Sequence, residues 1–219
     1  ELMYRKGQVI QQELDVIQQN MARYGIEVIH GTGAIVDPHT VTVTDREGNI
    51  EHLKAEVIVI STGTRPYHPR QVKFDNKFIY DGESILDLDV LPRSLTIVGG
   101  GVIGCEYASI FAHIGVKVTI VDDRERLLSF LDHEIGDNLI FLMRKYRISL
   151  VLGDGAKDIF VENDQPVVVT KSGRRVVSDK LLFAAGRTGN TENLGLKQLG
   201  IETDKRGNIV VNQQYQTAV

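Results

Sequence analysis

Three glycines, Gly99, Gly101 and Gly104, follow the apolar run "LTIV" in the spacing G-x-G-x-x-G. In this spacing the first glycine permits a tight turn, the second lets a pyrophosphate approach the backbone, and the third lets a helix pack closely on a strand. A helix starting at this turn presents unpaired N–H groups and its positive dipole end to phosphates. The spacing therefore predicts a dinucleotide site, whose other turn residues are Gly100, Val102 and Ile103.

An acidic residue stands where such a site contacts the adenosine ribose. The run "VKVTIV" ends at Asp122, about 20 residues after the central glycine, and an acid there accepts hydrogen bonds from the ribose. Asp123 is a second candidate, although a solvated neighbour is the favoured interpretation. Asp122 suits the 2′-hydroxyl of NAD, whereas Arg124 or Arg126 could pair with the 2′-phosphate of NADP. Both NAD and NADP are therefore candidate cofactors.

Two residues near the glycines have more than one interpretation. Glu106 is either an exposed helix residue or a group that reaches the nicotinamide end, and it is the candidate catalytic residue. For Cys105, a small buried thiol is favoured over a reactive one.

The elements around this turn alternate between strand and helix. "LTIV", the helical "VIGCEYASIFAHIG" and "VKVTIV" form a βαβ unit, and "HEIGDNLIFLMRKY" predicts another helix. Before the unit, apolar spacing predicts a helix from Leu14 to Tyr24. The later short strands are "DIFVE", "PVVVT", "RRVVS" and "KLLFAAG".

Between the first helix and the βαβ unit the hydrophobic period changes. Short β-branched runs broken by "DPHT" and "REGN" predict an antiparallel meander or hairpin. The nearly continuous apolar run "AEVIVI" predicts a strand buried on both faces.

Composition excludes several functional classes. The 219 residues are 42% hydrophobic and 25% charged, which is typical of a globular protein. The net charge is −4 and no Lys/Arg block occurs, so no nucleic-acid partner is expected. No apolar run approaches the roughly 20 residues that cross a bilayer, so neither a membrane partner nor a location outside the cytoplasm is expected. One cysteine and six scattered histidines predict neither a disulfide scaffold nor a metal site.

Several separated motifs also resemble one known family. "VISTGTRP", "IVGGGVIGCEYASIF", "LLFAAGRTGNTENLGL" and "GNIVVNQQYQTAV" stand in the order found in the two-dinucleotide flavoprotein reductases, which include dihydrolipoamide dehydrogenase and glutathione reductase. The motifs "GVIGCEYASIF", "RPYHP" and "GRTGNT" are similar to the soluble pyridine nucleotide transhydrogenase branch in particular. The resemblance covers essentially the whole chain.

The resemblance implies further site residues. Thr62 and Gly63 match residues that pass close to the flavin nucleotide, and Glu106 matches a helix acid beside the nicotinamide. Gly186 and Arg187 match the point where the chain returns toward FAD. Judged without the family, a surface salt bridge for Arg187 and a simple strand end for Thr62 are the favoured interpretations.

The resemblance also implies a fold, which is α/β with a Rossmann-like NAD(P)-binding domain inserted in a partial FAD-binding domain with a β-meander. Residues 1–91 would be the end of the first FAD segment, 92–187 the NAD(P) domain, and 188–219 the start of the return. We expect the chain to be a fragment without the first FAD motif and the C-terminal dimerisation domain. It would then carry little or no FAD and be inactive alone.

The implied activity belongs to the full-length protein. It would be an Si-specific NAD(P) transhydrogenase that moves hydride between NADH/NAD and NADPH/NADP through FAD, and it would be a homo-oligomer. The alternatives are a dihydrolipoamide dehydrogenase-like disulfide reductase and a nucleotide-binding module without turnover.

Overall fold

The computed structural model describes residues 2–219, which form two compact units. One unit is Pro66–Arg187, and the other combines the residues up to Arg65 with Thr188–Val219. The helices and strands are, in chain order, α1 (Leu2–Arg23), β1 (Thr32–Asp37), β2 (Thr40–Thr44), β3 (Ile50–Lys54), β4 (Thr64–Pro66), β5 (Ile79–Asp81), β6 (Ser94–Val98), α2 (Val102–His113), β7 (Lys117–Asp122), α3 (His133–Lys145), β8 (Ser149–Leu152), β9 (Ala156–Glu162), β10 (Gln165–Thr170), β11 (Arg175–Val177), β12 (Lys180–Phe183) and β13 (Arg187–Gly189). Two 3-10 helices cover Ser84–Asp87 and Leu196–Leu199.

A five-stranded parallel sheet forms the centre of the unit Pro66–Arg187. Its strand order is β5-β12-β6-β7-β8, and every neighbouring pair is parallel. Parallel sheets are covered on both faces, which explains why "SLTIV" and "VKVTIV" are nearly continuous apolar runs. The sequence β6-α2-β7 confirms the predicted βαβ unit and the α/β fold class. The sheet also includes β5, which precedes residue 92.

Each face of this sheet has its own hydrophobic core. On one face Ile97 and Ile120 pack with Ala108 of α2 and Met143 of α3. On the other face the core includes the apolar residues Val121, Leu181 and Val168. Val168 belongs to a separate antiparallel sheet in the order β11-β10-β9. Of the four short strands predicted after the βαβ unit, three therefore form this sheet, whereas "KLLF" joins the parallel one.

Capping hydrogen bonds mark the C-terminus of α2 and the N-terminus of α3. The N–H groups of Gly115 and Val116 donate to the carbonyls of Ala112 and Phe111 at 3.1 and 3.0 Å, and the φ of Gly115 is 91°. At the start of α3, the Asp132 carboxylate accepts from the N–H of Glu134 at 2.9 Å, as an N-cap residue does. The helix predicted over "HEIGDNLIFLMRKY" is confirmed.

The other unit contains the predicted meander. Strands β1, β2 and β3 pair in that order, and both pairs are antiparallel. Ile35 of β1 packs with Leu196 and Ile201 in a small core. The predicted helix before the meander is longer than its apolar spacing indicated, since α1 begins at Leu2 and not at Leu14.

The prediction that "AEVIVI" is a strand buried on both faces is wrong. No strand is assigned over residues 55–60, where Ile58 and Ile60 pack on the small core while Val57 and Val59 are 77% and 80% exposed. The run alternates between two faces as extended chain does. Within the part of the chain that the structure describes, no strand pairs with it, and its second face is uncovered.

Among the described helices, none has the length and apolar character needed to cross a membrane.

Candidate dinucleotide site

The glycine turn lies at the carboxyl end of β6. The N–H of Gly99 donates to the Val121 carbonyl at 2.9 Å, which joins the turn to β7, and the φ of Gly99 is 115°. A Cβ atom on Gly99 would lie 2.6 Å from the Ala184 carbonyl oxygen, so a side chain is excluded by both space and conformation.

Gly104 and Gly101 have opposite surroundings. A Cβ atom on Gly104 would overlap the Gly99 carbonyl oxygen, so this glycine lets α2 pack directly on the turn. A Cβ atom on Gly101 would meet nothing within 4 Å. Packing inside the protein therefore explains the glycine at position 104, but it does not explain the glycine at position 101, whose Cβ position is open.

The N-terminus of α2 faces the same turn. Gly101 is the N-cap residue, and among the described residues no side chain caps the helix there. The N–H groups of Val102, Ile103 and Gly104 have no partner within a helix that begins at Val102. These groups and the helix dipole give this end a positive potential that suits a phosphate group.

Asp122, at the end of β7, is buried and holds the turn. Its Oδ2 atom accepts from the N–H of Gly100, and its Oδ1 atom accepts from the N–H of Arg124 at 2.8 Å. Burial raises the pKa of the Asp122 carboxyl, but the hydrogen bonds from Arg124 and Gly100 outweigh it, so the pKa lies below the ordinary value. The carboxylate is therefore ionised at neutral pH.

The guanidinium of Arg124 binds the same carboxylate. Its Nε atom donates to Oδ1 and its Nη2 atom to Oδ2, each at 2.8 Å. Hydrogen bonding to Asp122 raises the pKa of Arg124 above its ordinary value. The two residues that the sequence analysis associated with different cofactors are thus bound to each other.

The other charged candidates lie outside this ion pair. Asp123 is exposed and pairs with Lys171 at 2.5 Å, and Arg126 pairs with Asp137 at 3.0 Å. Glu106 is exposed on α2, four residues after its first residue. The exposure of Asp123 agrees with its interpretation as a solvated neighbour.

Cys105 is the buried thiol that the sequence analysis favoured. Its Sγ atom donates to the Gly100 carbonyl at 3.7 Å, and the thiol is buried. Burial raises the pKa of Cys105 to about 11, with a smaller contribution from the charge of Asp122.

Sequence reasoning missed a second acid at the carboxyl edge of the sheet. Asp81 ends β5, and its Oδ1 atom accepts from the N–H groups of Glu83 and Ser84 at 2.8 and 2.7 Å. Its Oδ2 atom lies 2.7 Å from Nε2 of His68, whose ring stacks on Phe74 with centroids 3.9 Å apart. The acid followed by glycine directly after "FIY" was the available signal.

The residues matched to the flavin side of the family lie in two places. Gly186 follows β12 with a φ of 124°, and Arg187 pairs with Glu83 at 3.1 Å. In the other unit, the carbonyls of Thr62 and Gly63 accept from the side chain and backbone of Asn190 at 3.1 and 3.0 Å. A Cβ atom on Gly63 would meet nothing within 4 Å, which leaves room for a group to approach its backbone.

Comparison with known sequences gives one family. Residues 4–219 match the family model described as pyridine nucleotide-disulphide oxidoreductase. The chain is 41% identical, over all of its 219 residues and 47% of the relative, to the soluble pyridine nucleotide transhydrogenase of Salmonella typhimurium (strain LT2). The Salmonella typhi protein of the same name gives the same values. The chain spans about half the length of these relatives.

Solved structures similar to this chain include two proteins of about twice its length. The HOCl-induced flavoprotein disulfide reductase RclA from Escherichia coli matches with a TM-score of 0.86 and 30% identity, over 99% of this chain and 49% of that chain. LpdA from Mycobacterium tuberculosis matches with a TM-score of 0.91 and 25% identity, over 99% and 48% of the two chains.

Proposed function

Because the chain belongs to the pyridine nucleotide-disulphide oxidoreductase family, we propose that the turn from Gly99 to Gly104 binds the pyrophosphate of NAD or NADP. The observation that carries the proposal is the open space at Gly101 beside the uncapped N-terminus of α2. Backbone N–H groups there bind the phosphates, and Asp122 lies at the strand end that meets the adenosine ribose in such sites. Glu106, farther along α2, lies beside the nicotinamide.

Calorimetric titration with NADH and NADPH tests this proposal. Gly101→Val should abolish the binding of both nucleotides, because its side chain occupies the space that the pyrophosphate needs. Circular dichroism and the melting temperature should stay near those of the parent chain, since a Cβ atom there meets none of the described residues within 4 Å apart from its chain neighbours.

Gly7→Val is the matched control, because a Cβ atom on Gly7 in α1 also meets nothing within 4 Å. This control should bind both nucleotides as the parent does. Normal nucleotide binding by Gly101→Val would contradict the assignment of the site.

For a protein of the relatives' full length, the proposed activity is hydride transfer between NADH/NAD and NADPH/NADP. The identity of 41% with soluble pyridine nucleotide transhydrogenases supports this activity. FAD, when bound, supplies the two-electron carrier between the two nicotinamides. Thr62, Gly63, Gly186 and Arg187 are the residues of this chain that would lie on the flavin side, and the backbone of Gly63 has room for that contact.

A disulfide reductase is the second candidate, supported by the structural match to RclA. The two activities differ in their electron acceptor, so one assay separates them. A full-length protein carrying this chain should reduce an NAD analogue with NADPH and should not reduce a disulfide substrate. The opposite result would favour the reductase, and nucleotide binding without either turnover would favour a binding module.

A further inference from the structure

A histidine is bound to a buried aspartate at the end of β5. Nε2 of His68 lies 2.7 Å from Oδ2 of Asp81, whose Oδ1 atom accepts from the backbone N–H groups of Glu83 and Ser84. Asp81 is buried, so water screens its carboxylate little. Backbone N–H donors favour the ionised form of this carboxylate, which can only accept hydrogen bonds. Nε2 of His68 therefore carries a proton and donates it to the bond with Asp81.

Further contacts fix the position of the His68 ring. The ring stacks on Phe74 with 14° between the two planes, and Phe74 packs edge-on against Phe183 with centroids 5.9 Å apart. Beside His68, the N–H of Tyr67 donates to the Gly186 carbonyl at 3.1 Å. A ligand that bonds to this ring does not have to order it first, which lowers the cost of binding.

The second nitrogen of the ring can accept a hydrogen bond. The His68 side chain is 49% exposed, and none of the described residues bonds to its Nδ1 atom. With the proton on Nε2, the neutral imidazole has its accepting lone pair on Nδ1. This acceptor is fixed in place and accessible, which suits a ligand that carries an N–H donor.

His68 lies at the carboxyl edge of the parallel sheet, on the opposite side of the glycine turn from Asp122. Asp81 is in register with Phe183, and Phe183 with Val98, which directly precedes the turn. Two strand spacings, about 10 Å, separate Asp81 from Val98. A dinucleotide crosses the carboxyl ends of the strands where the strand order reverses. With the adenosine at the end of β7, as proposed above, its other half extends over β12 and β5.

We propose that His68 binds the nicotinamide half of the dinucleotide, and that its Nδ1 atom accepts a hydrogen bond from the carboxamide N–H group. Asp81 is the positioning residue for this contact, because it holds the tautomer that leaves Nδ1 as the acceptor. The carboxamide is the same in NAD and NADP, so His68 contributes equally to the binding of both. The contact rests on the proposed function, because it requires a dinucleotide at the glycine turn.

Titration of His68→Gln with NADH and with ADP-ribose measures this contact. The glutamine amide can still donate to Asp81, but it places no acceptor where Nδ1 lies. NADH affinity should fall about three- to tenfold, the equivalent of one neutral hydrogen bond, and NADPH affinity should fall equally. ADP-ribose, which lacks the nicotinamide, should bind to the variant as it binds to the parent. His113→Gln, at an exposed histidine that ends α2, is the matched control and should change neither affinity.

The two ligands separate loss of the contact from damage to the fold. Normal ADP-ribose binding shows that the variant is folded and that its glycine turn is intact, and His68→Ala repeats the test where the glutamine variant does not fold. Unchanged NADH affinity in a folded His68 variant, or an equal loss for NADH and ADP-ribose, would overturn the contact and leave the proposed function standing. If the parent chain bound neither ligand, the proposed function would fail, and the contact with it.

Discussion

At the scale of single residues, the glycines of one motif have separate physical roles. The Cβ position of Gly104 overlaps the Gly99 carbonyl oxygen, whereas that of Gly101 lies in open space. A motif that looks uniform in sequence therefore combines a glycine that the fold requires, Gly104, with one that we propose the ligand requires, Gly101. The two kinds of glycine should respond differently to the same small substitution.

Gly104→Ala should destabilise the unit Pro66–Arg187 by about 1 to 3 kcal/mol, as overpacked sites do, because its methyl group would displace α2 from the turn. Gly101→Ala should leave the melting temperature nearly unchanged. Thermal unfolding followed by circular dichroism measures both. Equal melting temperatures for the two variants would contradict the close contact between α2 and Gly99.

Cys105 provides a second test at this scale. Its pKa of about 11 leaves almost no thiolate at pH 8, and the thiol is buried. The native chain should therefore react slowly with Ellman's reagent, and the same chain in denaturant should release one equivalent of chromophore promptly. Fast reaction of the native chain would show that the first turn of α2 opens readily.

At the scale of elements, aspartate carboxylates at the ends of two strands accept the hydrogen bonds that hold the carboxyl edge of the parallel sheet together. Hydrogen bonds to Asp122 join the glycine turn to the end of β7, and hydrogen bonds to Asp81 join the end of β5 to the 3-10 helix that follows. Burial raises the pKa of Asp81, but the backbone N–H groups of Ser84 and Glu83 and the His68 ring outweigh it, and the pKa is lowered.

Asp81→Ala should reduce the free energy of unfolding by about 1 kcal/mol, because it leaves two partly buried N–H donors without their acceptor. Since the folded pKa of Asp81 lies below that of the unfolded chain, its stabilisation is full above about pH 4 and is lost as the pH falls through the folded pKa.

Denaturant titrations at pH 7 and at pH 3 measure this difference. The parent and Asp81→Ala should differ at pH 7 and converge toward acid. Asp158→Ala, which removes an exposed aspartate of β9, serves as the control and should lose little stability at either pH. A constant difference at both pH values would contradict the role of the ionised carboxylate.

At the scale of the whole molecule, the two units differ in how they cover their apolar surface. The parallel sheet of Pro66–Arg187 has a core on each face. The other unit exposes Val57 and Val59 on an extended segment without a pairing strand among the described residues. Exposed apolar side chains beside an unpaired backbone are typical of surfaces that associate.

The double substitution Val57→Lys and Val59→Lys should therefore reduce self-association of the chain, measured by sedimentation velocity over a range of concentrations. Val90→Lys is the matched control, because Val90 is 76% exposed but lies in the other unit, and it should change nothing. Equal association of the parent and the double variant would mean that this segment is not the associating surface.

The sequence by itself determined the βαβ unit, the glycine turn and the meander, because these depend on local signals. Each of these signals predicts the structure of the few residues in which it occurs. The signals are the alternating and continuous apolar runs, the glycine spacing and the acid at the end of β7. The same locality explains the correct interpretation of Cys105 as a buried thiol, since its place in the first turn of α2 faces the packed sheet.

Only the tertiary structure decided the features that depend on chain segments far apart in sequence. An apolar run has the same sequence whether one or both of its faces are buried. The sequence analysis therefore predicted two buried faces for "AEVIVI", whereas the structure buries only the face of Ile58 and Ile60. Asp81 and His68 come together only because β5 joins the sheet beside β12. Arg124 and Asp122 are only two residues apart in sequence. Whether their side chains bond to each other depends on how both are oriented at the end of β7, which the residue types do not specify.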